Sequence, residues 1–300
     1  MPNNQNPESS RVYYLFYTFF LIPLMICVFG VLFVLITKVL TQEPTDVNQL
    51  LYKLETGSMR DKADASYRIN KLFTDYSDKY DESYRNRIIK IHNMSKSEFN
   101  LDNSLRLHII MIMGNSKDTT FGVNLIDELS SENESFRIKA IESLGKLRYT
   151  PSANLVENFL NKDNSFFEKL AAAGALGNIG NPSAINSLAD LINSWPSDWN
   201  ESDGPELRWE ATMALLKLGY SDSLTKKIIT DLLNKSYYAQ YSQLDQNKID
   251  FLLLKILNIL YSIDNIELLE PFQIAIHQLS EDNSNLEIQN YSKKMYNRFK

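Results

Sequence analysis

Only one cysteine, Cys27, occurs in 300 residues, and it lies inside an apolar run near the N-terminus. The rest of the chain therefore has no disulfide and no thiolate metal site. Basic charge is also short: 31 Lys and Arg against 37 Asp and Glu leave a net charge of −6. With no basic field to hold a phosphate backbone, nucleic acid is not an expected partner. A third absence is of reactive groups. His92, His108 and His277 are far apart, without the spacing of a metal site. No Ser/His/Asp, Cys/His, nucleotide-loop or zinc-protease motif is present, so no acid, base or nucleophile can be assembled. The expectation is a protein that is not an enzyme and carries no cofactor. Beyond Thr41 there is no strand-like alternation of useful length, and the expected fold class is all-α.

What the chain does have begins with that apolar run. Residues 1–11 read as a short polar tail, and between Arg11 and Lys38 no residue is charged. At a rise of ~1.5 Å per residue, residues 12–40 exceed a hydrocarbon core of roughly 30 Å, so they read as one transmembrane helix. Tyr13, Tyr14 and Tyr17 stand where aromatic rings prefer the headgroups, and Pro23 is tolerable within a span. A cleaved signal peptide is the rival, but the run is long for one and lacks a small-x-small site before Gln42. Arg11 on one side against Lys38, Lys53, Arg60 and Lys62 on the other leans towards a cytoplasmic domain at residues 41–300.

Inside that domain a phrase is written twice in succession between Glu134 and Asn193. Each copy has a basic residue (taken as position 0), a small residue at +3, a large apolar one at +7, Gly at +8 and an apolar one at +10. Arg137, Ala140, Leu144, Gly145 and Leu147 fit in full, as do Lys169, Ala172, Leu176, Gly177 and Ile179. A Pro-Ser-Ala turn follows each. Weaker copies start at Lys62, Arg106 and Arg208, and a degenerate one puts Asp250 at the basic position. Such a series predicts stacked two-helix repeats, since a single helix pair cannot bury its own apolar face.

These residues resemble the HEAT repeat family, in particular its short bacterial, phycobilisome-lyase-like form with Arg-x-x-Ala-x-x-x-Leu-Gly and Pro-x-Ala. The resemblance covers roughly residues 46–280 and implies an α-solenoid, armadillo/HEAT-type, whose phrase-bearing helices line its concave side. Alternate helices such as 153–160 and 184–192 would form the convex side, and about 285–299 would cap the C-terminus. The resemblance also raises a tetrapyrrole lyase or isomerase as an alternative, although only dispersed Tyr residues are available to one.

Partner-binding residues are sought on the face opposite the packed stripe. Position +5 points there and selects Tyr67, Met111, Glu142, Gly174, Met213 and Lys255; position +9 adds Lys71, Asn115, Lys146, Asn178 and Lys217. Together they suggest a groove floor for an amphipathic helix or an extended acidic peptide. The basic position itself reads as structural, with Glu134 or Asp163 within reach. Trp195 and Trp199, in the long insertion before Glu206, are candidates for a recognition loop. Asp198–Gly204 looks like a calcium loop but has its Gly out of register. The expected role is a membrane-anchored scaffold or adaptor that binds a protein partner at the bilayer, as accessory subunit of a membrane complex.

Overall fold

The computed structural model describes residues 14–40, 46–97, 103–194, 204–241, 243–282 and 284–299. They divide into two compact units, with the boundary after Gln49. Among the described residues every regular element is helical. The expected tail at 1–11 and the loop carrying Trp195, Trp199 and Asp198 lie outside the described residues.

In the first unit an apolar helix covers Tyr14–Ile36, 23 residues of mean hydropathy 3.0 with none of it buried. That length corresponds to roughly 34 Å, enough to cross a hydrocarbon core. A signal sequence near an N-terminus meets the same criteria. Residues Tyr17–Leu21 are π-helical, and α1 follows over Ile22–Leu40. The wider turn sits just before Pro23, whose ring would clash with the carbonyl four residues back in a regular α-helix.

The second unit opens with α2 (Val47–Thr56), which straddles the boundary, and α3 (Met59–Asp75). Then follow α4 (Arg85–Ser97), α5 (Asn103–Asn115), α6 (Gly122–Glu128), α7 (Glu134–Leu147), α8 (Ala153–Glu157) and α9 (Phe166–Ile179). The rest are α10 (Ile185–Asn193), α11 (Pro205–Lys217), α12 (Ser223–Leu233), α13 (Gln246–Tyr261), α14 (Gln273–Asp282) and α15 (Leu286–Tyr296). The phrase-bearing helices α3, α5, α7, α9 and α11 pack directly on one another in chain order. The intervening helices form the second layer, and short 3₁₀ turns at Thr150–Ser152 and Pro182–Ala184 lead into α8 and α10.

The phrase has a packing reason at each position. Glycine at +8 lets adjacent backbones approach: a Cβ on Gly145 would lie 2.8 Å from Cα of Ala175, and one on Gly177 2.7 Å from Cα of Ala214. A Cβ on Gly114 would likewise meet Ser143 at 2.6 Å. In every case the neighbour is the small residue at +6 of the next copy. Where Asn70 replaces glycine, its amide donates to the His108 carbonyl at 2.9 Å, converting close packing into a hydrogen bond. Position +11 is the helix stop, and it has left-handed φ in four successive copies: Lys117 (59°), Arg148 (51°), Gly180 (76°) and Gly219 (78°). Only glycine takes that conformation without steric cost.

The basic position ties copies together, through partners other than Glu134 and Asp163. Arg137 Nε donates to Glu168 Oε1 at 2.6 Å, while Glu168 Oε2 accepts from the Ser165 amide to complete a capping box. One arginine thus locks the first turn of the following helix. Arg106 donates to Glu128 at 2.8 Å and stacks on Phe136. Asp250 keeps the link with reversed polarity, accepting from Asn285, the N-cap of α15, at 2.8 Å.

Candidate functional site

The face opposite the packed stripe carries a hollow of 340 Å³. Its floor is α9, where Ala171, Gly174 and Ala175 offer almost no side chain; Leu170 and Phe167 lie further towards the N-terminus of that helix. One wall is α7 with Ile138, Glu142 and Lys146, spaced one turn apart along a single side. The other is formed by Glu210 of α11 and Lys255 of α13, which bond to each other. Small residues make this floor low because bulkier ones rise on both sides.

The expected site residues separate into three groups. Glu142 and Lys146 come together in the hollow, joined by Gly174, Asn178 and Lys255 from the same sequence face. Lys139 Nζ donates to Glu142 at 2.7 Å. Lys146 Nζ donates to Asn115 Oδ1 at 2.9 Å, and Lys217 Nζ donates to Asn178 Oδ1 at 2.8 Å, each reaching back one copy. Burial lowers the pKa of both lysines, against the opposing charges of Glu142 and Glu210 respectively. Tyr67 is exposed and Met111 half-buried, but both sit on earlier helices and do not line this hollow.

Met213 is a correction. It is 1% exposed and belongs to a buried cluster with Ile256, Leu257 and Leu260 of α13. In α11 the +5 position joins a buried cluster with residues of α13, while Glu210 at +2 and Lys217 at +9 still line hollows. Trp195 and Trp199 lie outside the described residues.

Phe167 and Glu210 were not selected from the sequence, although both line the hollow and Phe167 is 63% exposed. They stand at −2 and +2 of their copies. At about 100° per residue, positions −2, +2, +5 and +9 all point between roughly 140° and 200° from the basic residue. Both therefore lie on the same helix face as positions +5 and +9, and that periodicity is the sequence signal for them.

Away from the groove, His92 Nε2 and Glu128 Oε1 lie 2.6 Å apart, both fully buried, with Arg106 on the other carboxylate oxygen. Burial pushes the Glu128 carboxyl up, but the His92 hydrogen bond and the charges of His92 and Arg106 outweigh it and hold its pKa at about 2. His108 contacts Ser66, and His277 stacks on Tyr296. The three histidines serve three separate structural contacts.

Comparison with known proteins agrees with this architecture. Residues 122–202 match the family model of HEAT repeats. Among solved structures, a chain from the complex of CpcE and CpcF of phycocyanin lyase from Nostoc sp. PCC7120 aligns with a TM-score of 0.57 at 15% identity. The alignment covers 85% of this chain and 96% of that one. No curated protein matches the sequence. The likeness shows a shared fold, and it corrects the expectation that the chain is not an enzyme. The same scaffold occurs in a lyase complex, so the lack of a recognisable catalytic motif does not exclude activity.

Proposed function

We propose that this chain, which carries HEAT repeats on an all-helical solenoid scaffold, is a membrane-anchored adaptor that seats a protein partner in the groove over α9. The supporting observation is the groove itself, where Glu142 and Lys146 converge with Phe167 and a floor of small residues. An apolar helix long enough to span a bilayer supports the anchor. Domain limits of 12–40 for the span and 41–300 for the scaffold, with the latter on the cytoplasmic side, belong to this proposal. Tethering confines the search for a partner to the membrane plane and raises its effective concentration.

The test places a photo-crosslinking residue at Leu170 of the tagged full-length protein and, as control, at Leu155 of α8. Crosslinks to a membrane protein from Leu170 alone, abolished by Gly174→Leu, support the reading. Equal crosslinking from both positions, or none from Leu170, sinks it. Alkaline extraction tests the anchor, which is wrong if the mature chain is soluble and begins beyond Ile36.

The fold likeness favours a second reading, a subunit of a lyase acting on a tetrapyrrole-bearing protein. It predicts that protein purified from its source carries, or takes up, a pigment with bilin-like visible absorbance.

A further inference from the structure

The two ends of the groove differ. Towards the N-terminus of α9 it is apolar, with Ile138 on the α7 wall and the exposed Phe167 on α9 itself. Its carboxylates, Glu142 and Glu210, lie midway and are already bonded to Lys139 and Lys255. Asn178 at the far end also lines a second hollow of 460 Å³, bounded by Arg148 and Lys217. From residue 167 to 178 the groove therefore follows α9 for roughly 16 Å.

That far end is positive on balance: Lys146, Lys217 and Arg148 face one lining carboxylate, Asp264, with Glu142 and Glu210 acting on the two lysines without bonding them. Among the described residues Lys146 and Lys217 donate to neutral amides, and no carboxylate bonds either of them or Arg148. Arg148 holds the left-handed stop where the next copy has Gly180, a conformation disfavoured for any side chain. This pole stands on a chain of net charge −6, so it selects a partner of opposite local charge. The geometry of the groove selects a helix. Ile138, Glu142 and Lys146, one turn apart on one side of α7, make a wall, and the low floor lets a cylinder settle between α7 and α11, each of which packs on α9 at roughly 8–10 Å.

We propose that the groove receives an amphipathic α-helix of a partner, its apolar stripe along α9 over Gly174 and its acidic end against Lys146, Lys217 and Arg148. This rests on the groove being the partner's seat.

Full-length protein in mild detergent is screened against displayed helices of about 14 residues, with a fixed i, i+3, i+4, i+7 apolar stripe and random polar positions. A second library holds unpatterned segments broken by proline, which cannot be helical. The expected winners are helices with Asp and Glu gathered in one terminal turn. Their affinity should fall at least about tenfold for the Lys146→Glu/Lys217→Glu variant and vanish for Gly174→Leu, whose Cβ meets the Glu210 carboxylate at 2.7 Å and whose side chain fills the floor. Circular dichroism matching the parent chain shows that both variants are folded. Winners lost with Gly174→Leu yet without acidic bias, or indifferent to the lysine reversal, overturn this inference and leave the seat intact. Winners from the proline-broken library overturn the helix and keep the seat. No winners, or winners indifferent to both variants, sink the seat itself.

Discussion

The stack from α5 to α11 and the block from α11 to α15 use one sequence phrase to build two kinds of core. In the stack, glycine at +8 meets a small residue of the next copy, so backbones nearly touch and little side-chain volume separates the helices. In the block, Leu216 stands at +8 and Ile256 at +6 of the next copy, both buried. The space between elements there is filled by bulk. Trp209 sits edge-on to Tyr237, Tyr238 and Tyr241, with Phe272, Leu253 and Ile276 in the same cluster. Tyr238 spends its hydroxyl on the Leu232 carbonyl at 2.6 Å, as a buried phenol must. The stack has a groove along its outer face at α9, whereas in the block the equivalent +5 residue of α11, Met213, is buried. The two regions thus differ in residue size at the contact between successive copies.

The largest effect expected from testing this contrast is at Trp209. Trp209→Ala should cost about 3–5 kcal/mol, because the surrounding rings cannot collapse into the space. Denaturant unfolding of the full chain in mild detergent would show it, with hydrogen exchange rising in α12–α14 and little changed in α7–α9. Equal loosening of both regions would mean that they form one cooperative core.

Acid should attack the other side of the comparison. The Glu128 carboxyl is held at about 2 against an ordinary 4.5, so its stabilisation is complete above pH 4.5 and is lost as pH falls towards 2. The shift corresponds to roughly 3 kcal/mol. Pepsin at pH 3 is expected to cut first within α4–α6, and Glu128→Gln to flatten the acid dependence in that window. First cuts in α12–α14 would contradict it.

A smaller effect is expected at the glycine contact. Gly145→Val should destabilise by about 1–3 kcal/mol through overpacking against the Ala175 backbone. Leu216→Val, at the same phrase position in the block, should cost less, roughly 1 kcal/mol. Thermal melts of the two variants compare them directly, and a larger loss at Leu216 would remove the distinction drawn between the regions.

Much of this was legible in the residues. The phrase, its copies and the apolar helix follow from periodicity, because a helix must place its packed residues on one stripe and a span must be apolar throughout. Glu142 and Lys146 were found because their face could be computed from helix geometry. Met213 shows the opposite case: helix geometry fixes where a side chain points on its own helix, and nothing about which helix arrives there. Phe167 and Glu210 lie on that same face, at positions −2 and +2.

The sequence by itself determined the local order of helices, stops and repeats, since these depend on neighbours within a few residues. Only tertiary structure decided how close the helices lie, that Arg137 reaches Glu168 and Asp250 reaches Asn285, and that the +5 position is open at Gly174 but buried at Met213. Those outcomes depend on contacts between residues 30 or more apart in the chain, and one turn of helix carries no information about what will be stacked against it.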